Sequence, residues 1–414
     1  MRHPYKAVKP LAVACIILLV CVRLSFAGGF SLFETSVRGN ALGGALVARA
    51  DDPTAVFFNP AGITQLQGTQ IAVGASLSLG YAEIKTKSQQ GDTHTTYNDV
   101  TPRFIPYGYL TREINDRLWF GLGLIPRFAS SARFPSDWPG RYNSTNALVK
   151  GVELNPSFAL KVTEKLSLAA GLRVMRLGVT LDQNVPIFDY HSRIKGDSIA
   201  PGWNAAVHYK AFDWAYAGIS FRSRVNQNVK GRVTFTGRPD YLRKVFPDTH
   251  FDMGINLPAE LYSGVVFFPK ERLSIETSTV FTMWRCYDHL RSTFDEPVAG
   301  LRQKIIEKDW HNVWRYQVGL EYKALPWLDL RLGFVYDNEP QPRHTVDYTL
   351  PCYDRIMLCS GLGFHWNAWS FDTSYTFKQS KKRDVKARPA DGVLDGELSD
   401  THAHYIGLGV SYKF

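Results

Sequence analysis

The sequence predicts an all-β transmembrane barrel of about fourteen antiparallel strands, with an N-terminal helical hatch acting as a plug inside the lumen. Three observations predict it. Many segments alternate apolar residues with small or polar ones at a period of two, which places one set on each face of a strand. The connections between them alternate between tight turns and long polar loops without breaking sequence, as tight turns on one side of a membrane and long loops on the other require. The chain also ends on a well-patterned strand whose last residue is Phe414.

Composition agrees with this class. The 414 residues include 25 Phe, 20 Tyr, 10 Trp and 33 Gly, a mix that favours strands and turns over helices. A mean hydropathy of −0.18 excludes a bundle of membrane helices. It does not exclude strands that turn half their residues into a polar lumen. The net charge of +10 is scattered, with no dense Lys/Arg block, so no nucleic-acid partner is expected.

The elements follow in chain order. Residues 1–27 read as a signal peptide. Arg2, Lys6 and Lys9 form a basic start, Leu11 to Val22 is an unbroken apolar run, and Ser25-Phe26-Ala27 offers small residues at a cleavage site. The run is shorter than the ~20 residues a membrane helix needs. Cleavage near Ala27 removes four basic residues and no acid, lowering the charge from +10 to +6. The expected destination is the outer membrane of a Gram-negative bacterium.

Residues 28–69 form the hatch segment. Gly39, Gly43, Gly44, Ala45, Ala48 and Ala50 permit close packing, Asp52-Pro53 reads as a helix start, and Asn59-Pro60 as a turn. Such an element just before a large barrel is expected to fill it.

Residues 70–414 form the barrel. Strands are expected at 70–84, 103–113, 117–128, 147–163, 166–182, 198–211, 214–228, 255–269, 271–286, 309–323, 327–337, 354–366, 368–378 and 402–414, each long enough for the ~9–11 residues of a tilted spanning strand. Long loops are expected at 85–102, 129–146, 183–197, 229–254, 287–308, 338–353 and 379–401. Trp119, Trp214, Trp327, Trp366 and Trp369 lie beside short turns, and Trp203, Trp284, Trp310 and Trp314 nearer long loops, as interfacial girdles would. Of the cysteines left after cleavage, Cys286, Cys352 and Cys359, the last two are near enough in sequence to bridge in an oxidising compartment.

At this point a resemblance becomes specific. Gly29-Phe30-Ser31-Leu32-Phe33-Glu34, Gly43-Gly44-Ala45 and Ala50-Asp51-Asp52-Pro53-Thr54-Ala55-Val56-Phe57-Phe58-Asn59-Pro60-Ala61-Gly62 resemble the N-terminal hatch of the FadL family. Asp137-Trp138-Pro139-Gly140-Arg141-Tyr142 and Leu257-Pro258-Ala259-Glu260-Leu261 are similar to two further elements of that family, and the likeness spans the mature chain. The resemblance implies passive uptake of long-chain fatty acids or aromatic or aliphatic hydrocarbons across the outer membrane. Substrate would be captured among the extracellular loops, pass to a lumen pocket and leave through a hatch-gated, lateral exit. Phe30, Leu32, Asn59 and Pro60 would then belong to the hatch gate.

The residues supply further candidates. Pro126 cannot donate a ladder hydrogen bond and is the candidate for a lateral opening in the third strand, although a Pro is also an ordinary strand end. Phe128, Phe134, Trp138 and Tyr142 are candidates for the capture groove, with loop self-packing as the alternative. By parity Arg127, Arg173, Arg222 and Arg331 face inward and are candidates to bind a substrate carboxylate. Glu276, Glu321 and Asp329 share that face, and mutual neutralisation is the plainer role for such a set.

No catalytic constellation, cofactor motif or metal site is expected. The Gly-Leu-Gly triplets at 121–123, 361–363 and 407–409 are strand alternations with no helix after them, and no Gly-x-Ser-x-Gly elbow occurs. Expected partners are a hydrophobic small molecule, the lipid bilayer with its lipopolysaccharide, and the barrel-assembly machinery acting on the strand that ends at Phe414. A monomer is expected. A hydrophilic porin and a loop-mediated adhesin are the competing readings on the same barrel.

Overall fold

The computed structural model describes residues 29–87, 91–186 and 188–414. The signal peptide read at 1–27 lies outside them. Fourteen strands close into one antiparallel barrel. They are β1 (Thr69–Lys87), β2 (Arg103–Glu113), β3 (Leu118–Arg133), β4 (Asn146–Lys161), β5 (Leu166–Asn184) and β6 (His191–Phe212). β7 is interrupted (Ala215–Arg222, Val225–Thr236), as is β8 (Thr249–Leu257, Glu260–Lys270). Then come β9 (Leu273–Thr282), β10 (Val313–Leu325), β11 (Leu328–Asp337), β12 (Arg355–Trp366), β13 (Trp369–Ser380) and β14 (Gly396–Lys413). Closure is made by β1 on β14, from Gln70 opposite Lys413 to Thr86 opposite Gly396. Apart from the upper ends of β2 and β3, which part above Gly108 and Leu124, neighbouring strands pair around the ring, so the backbone polar groups of the spanning region are satisfied internally, as lipid demands.

Several strands run further than the sequence suggests. β6 begins at His191 and β7 continues to Thr236, inside segments expected to be loops. The reason is a reversal of polarity along the strands. In the lower part of β5, Leu168, Leu172 and Val174 point out, and Ser167 and Arg173 point in. Above Val174 the apolar residues Met175, Leu177 and Val179 point in, and Arg176 is exposed. The same holds for Val225, Val229 and Val233 on β7 and Phe251, Met253 and Ile255 on β8, all buried. The upper barrel is therefore a water-facing sheet around an apolar interior, and its outer face carries no greasy stripe to read.

The long connections pack into a cap over this end. Residues 287–308, expected as a loop, contain a hairpin, His289–Val298 with Leu301–Glu307. Ile84, Phe134, Trp138, Val346, Tyr348, Val385, Val393 and Leu398 make a buried loop core. Lys308 and Asp347 form a buried pair at 2.8 Å, and Asp347 also accepts from the backbone N–H of Thr349 and Leu350. Burial works against ionisation of Asp347, but Lys308 and the two N–H donors outweigh it and hold its carboxyl below the usual carboxylate range. A depressed carboxylate contributes stability above its unfolded value of ~3.9 and loses it as pH falls through the folded value. Limited proteolysis of the cap is thus expected to be flat from pH 7 to about pH 4 and to rise only in stronger acid. The Asp347→Asn protein should already be cleaved faster at pH 7.

The tryptophans divide between two roles. Trp214, Trp327, Trp366 and Trp369 are exposed at the tight-turn end, and Trp203 and Trp314 stand on the outer wall, a girdle arrangement. Trp119, Trp284 and Trp310 are buried. Trp119 faces the lumen and donates its indole N–H to the Leu66 carbonyl at 2.7 Å. Cys286, Cys352 and Cys359 are free thiols.

Candidate transport site

The segment before β1 lies in the lumen. It contains α1 (Val37–Ala41), capped by Ser36 Oγ accepting from Gly39 N at 2.8 Å, and α2 (Ala55–Phe58). A 3-10 turn follows over Pro60–Gln65, with Pro60 at its start and Asn59 Oδ1 accepting from Ala61 N at 3.1 Å. These helices are too short to be stable alone. Burial fixes them: Val37, Leu42, Val47, Val56, Phe57, Phe58 and Ile63 are at most 1% exposed. The wall is shaped to receive them. A Cβ on Gly333 would sit 2.3 Å from Gly43 N, and one on Gly218 2.2 Å from the Val47 carbonyl, so close approach at these points excludes any side chain.

Polar contacts anchor the hatch. Glu276 of β9 accepts from the N–H groups of Val47, Ala48 and Arg49 at 2.5, 3.0 and 2.8 Å. Asn59 Nδ2 donates to the carbonyls of Val47 and Val207, and Arg38 makes a two-point pair with Glu321 at 3.0 and 2.9 Å.

The N-terminal end of the hatch closes a defect in the wall. β2 and β3 pair only from Glu113–Trp119 to Gly108–Leu124. Above that the ladder stops, and β3 bulges between Pro126 and Phe128 against β4. Phe30–Leu32 takes the vacant edge: Leu32 N donates to Arg127 O at 2.8 Å, Ala129 N to Phe30 O at 3.1 Å, and Ser31 sits opposite Phe128. The Phe30 ring lies among Phe128, Trp284, Tyr287 and Trp310, at centroid distances of 4.9 to 6.0 Å.

Beside this plug is a cavity of about 590 Å³, within the range of ligand sites. Its lining comes from both faces of the wall. Ser78, Arg355, Lys378 and Tyr405 line it from the lumen side, while Phe104, Leu124 and Val152 belong to the lipid-facing set. Phe30, Leu32 and Pro126 border it too. The cavity therefore passes through the gap between β2 and β3.

The four inward arginines already have acids. Arg127 pairs with Glu260; Arg173 and Arg222 share Glu153; Arg331 meets Glu321, Asp329 and Asp372. All four guanidinium groups are buried away from the cavity. A buried cation needs such a partner, because desolvation costs several kcal/mol per ion. The cavity is lined instead by Arg103, Lys150, Arg355 and Lys378. Lys378 Nζ lies 3.2 Å from Tyr405 Oη and 5.6 Å from its ring centre, and among the described residues no carboxylate is within ion-pair reach. Arg355 beside it is held by Asp337 at 2.7 Å. The parity signal for Lys378 was present, since Asp372, Ser374 and Thr376 share its face, but it is the last residue of its expected strand.

Of the loop aromatics, Phe128 is buried against Phe30. Phe134 and Trp138 stack at 4.4 Å inside the cap core, and Trp138 donates to the Ser144 carbonyl. Tyr142 is half-buried under the Arg141 guanidinium, 4.6 Å from its ring centre. None of these four lines the cavity.

A hatch-filled fourteen-strand barrel with a gap in its third strand invites comparison with known proteins. The sequence profile of the outer membrane protein transport proteins OMPP1/FadL/TodX matches residues 18–414. The chain belongs to the OMPP1/FadL/TodX family. It is 23% identical to outer membrane protein P1 of Haemophilus influenzae, over 96% of this chain and 98% of that one. It is 22% identical to the long-chain fatty acid transport protein of Escherichia coli K12, over 97% and 98%. Among solved structures, a Pseudomonas aeruginosa FadL homologue superposes with a TM-score of 0.84 at 20% identity, covering 94% of this chain and all of that one. The Pseudomonas putida toluene transporter TodX does so with 0.71 at 14%, covering 93% and 99%. The chain is thus a FadL-type β-barrel of the outer membrane.

Proposed function

We propose that this FadL-family barrel takes up long-chain molecules with an acid headgroup, by passive transfer from the loop cap through the cavity to the outer membrane. The observation that carries this reading is the cavity itself: largely apolar, open through the wall, with Lys378 reaching it from the lumen side and, among the described residues, no carboxylate in ion-pair range of it. An alkyl chain loses ~0.8 kcal/mol for each CH₂ brought into water, so a water-filled pore is a poor route for it. A path lined by Phe30, Leu32, Phe104, Leu124 and Pro126 keeps the chain among apolar groups. The headgroup is met by Lys378, with the Tyr405 hydroxyl beside it. Phe30–Leu32 acts as the gate, and its withdrawal opens the edge of β3. The strand ending at Phe414 serves the assembly machinery.

Uptake of labelled oleate by a transporter-deficient strain expressing the chain tests the reading. Wild type should restore it, with toluene uptake measured in parallel. Lys378→Met should raise the oleate concentration needed for half-maximal uptake about tenfold or more, the scale of a charge-assisted contact of ~1.5–3 kcal/mol. Toluene, which has no charge, should be unaffected. Equal losses for both would assign Lys378 to structure. A chain that passes toluene but never oleate would overturn the acid headgroup.

A further inference from the structure

We infer that the outer wall of β4 to β8 holds the phosphate groups of a multiply phosphorylated glycolipid in the outer leaflet. The long-loop end of the barrel lies on the extracellular side, as the long loops and tight turns of an outer-membrane barrel are disposed.

The hydrocarbon edge on this side is marked by the polarity reversal. Leu172 and Ile199, each 68% exposed, and Trp203 at 51% still face lipid. Immediately above them the outward positions become cationic: Lys150 on β4, Arg176 on β5, Lys195 on β6, Lys230 and Arg232 on β7. Lys195 lies four residues beyond Ile199, about 10 Å along a tilted strand, which is headgroup depth.

The cations of this band are not matched one for one by acids within ion-pair range. Lys195 stands directly opposite Arg232. Like charges facing each other across strands are destabilising. The neighbouring acids are engaged elsewhere: Asp197 with Arg176 at 3.3 Å, Asp252 with Lys230 at 3.5 Å, Asp248 with Arg238 at 2.7 Å. Among the described residues neither Lys195 nor Arg232 has an ion-pair partner. Anions held from outside remove the repulsion. Strands are ~4.8 Å apart, so Lys150, Lys195 and Arg232 spread over several strands and suit more than one phosphate. The apolar strip directly below receives acyl chains, which a soluble anion would leave unused.

The test uses the full-length protein purified from outer membranes. Native mass spectrometry and titration would compare bisphosphorylated lipid A, the same lipid dephosphorylated, phosphatidylglycerol vesicles and inorganic phosphate. Bisphosphorylated lipid A should bind wild type and survive purification with it. Lys195→Gln with Arg232→Gln should weaken it about thirtyfold, at roughly tenfold or less per interfacial cation, and Lys195→Arg with Arg232→Lys should restore it. Lys381→Gln with Lys382→Gln, elsewhere on the loop side, should bind as wild type does. Oleate uptake reports correct folding of each variant and tests the transport reading separately. Equal binding of the dephosphorylated lipid, full competition by inorganic phosphate, binding of phosphatidylglycerol as tightly as lipid A, or wild-type affinity in the double Gln variant would each overturn the inference.

Discussion

A disulfide between Ser31→Cys and Phe128→Cys should bring oleate uptake down to the level of the transporter-deficient strain, and reduction should restore it to that of the two single variants. Ser31 and Phe128 face each other between two backbone hydrogen bonds, Leu32 N to Arg127 O and Ala129 N to Phe30 O. That makes them a non-hydrogen-bonded antiparallel pair, with Cα atoms ~4.5 Å apart, inside the range a disulfide accepts. The bond forms without moving backbone and pins the gate to the edge of β3. Both singles carry a cost. Phe128→Cys opens a void beside Phe30 and Trp284, and Ser31→Cys loses the 2.6 Å bond to Glu260. They are therefore the reference for the reduced pair, on a background with Cys286, Cys352 and Cys359 changed to Ser. If mass analysis shows the bond closed while uptake persists, the segment does not move during transport and the exit lies elsewhere.

Much of this site follows from alternation, and what alternation missed has identifiable causes. The spanning strands were legible because lipid on one side and hatch or lumen on the other impose opposite demands on neighbouring residues, as along Leu328 to Tyr336. Above the membrane both demands reverse, so the extensions of β6, β7 and β8 carry Val229 and Val233 inward and Lys230 and Arg232 outward, and read as polar loop. The inward arginines were found by parity, but parity reports a face and not a partner. Glu153 and Glu260 come from strands far apart in sequence from some of the cations they neutralise. The wall gap was visible at Pro126 only as a missing donor. That Phe30–Leu32 would fill it depends on a contact spanning about a hundred residues, which no local pattern encodes. Lys378 became significant only by its place, in a largely apolar cavity with no carboxylate among the described residues in ion-pair range of its ammonium.

Glu276→Ala should turn a quiet barrel into a leaky one. The Glu276 carboxylate, fully buried, accepts three successive backbone N–H groups of the hatch at Val47, Ala48 and Arg49. The Arg49 guanidinium has Glu321 at 3.7 Å as its acid in ion-pair range. The adjoining Ala48 carbonyl contacts His208 Nε2 at 2.8 Å, so this turn is tied to two walls at once. Alanine leaves three buried donors without an acceptor, each worth ~1–3 kcal/mol, a loss that only water entering the lumen offsets. Displaced-hatch states then gain by roughly a hundredfold or more, since each 1.4 kcal/mol is a factor of ten in population. In planar bilayers the wild type should show little steady current, Glu276→Gln intermediate flicker because its amide oxygen still accepts, and Glu276→Ala frequent openings. Removal of 29–62 should give a large constant current. This order separates the two readings of the barrel. A hydrophilic porin would conduct steadily as wild type and change little on losing the segment, whereas a barrel that moves apolar substrates past a seated plug needs that plug to hold water and ions back.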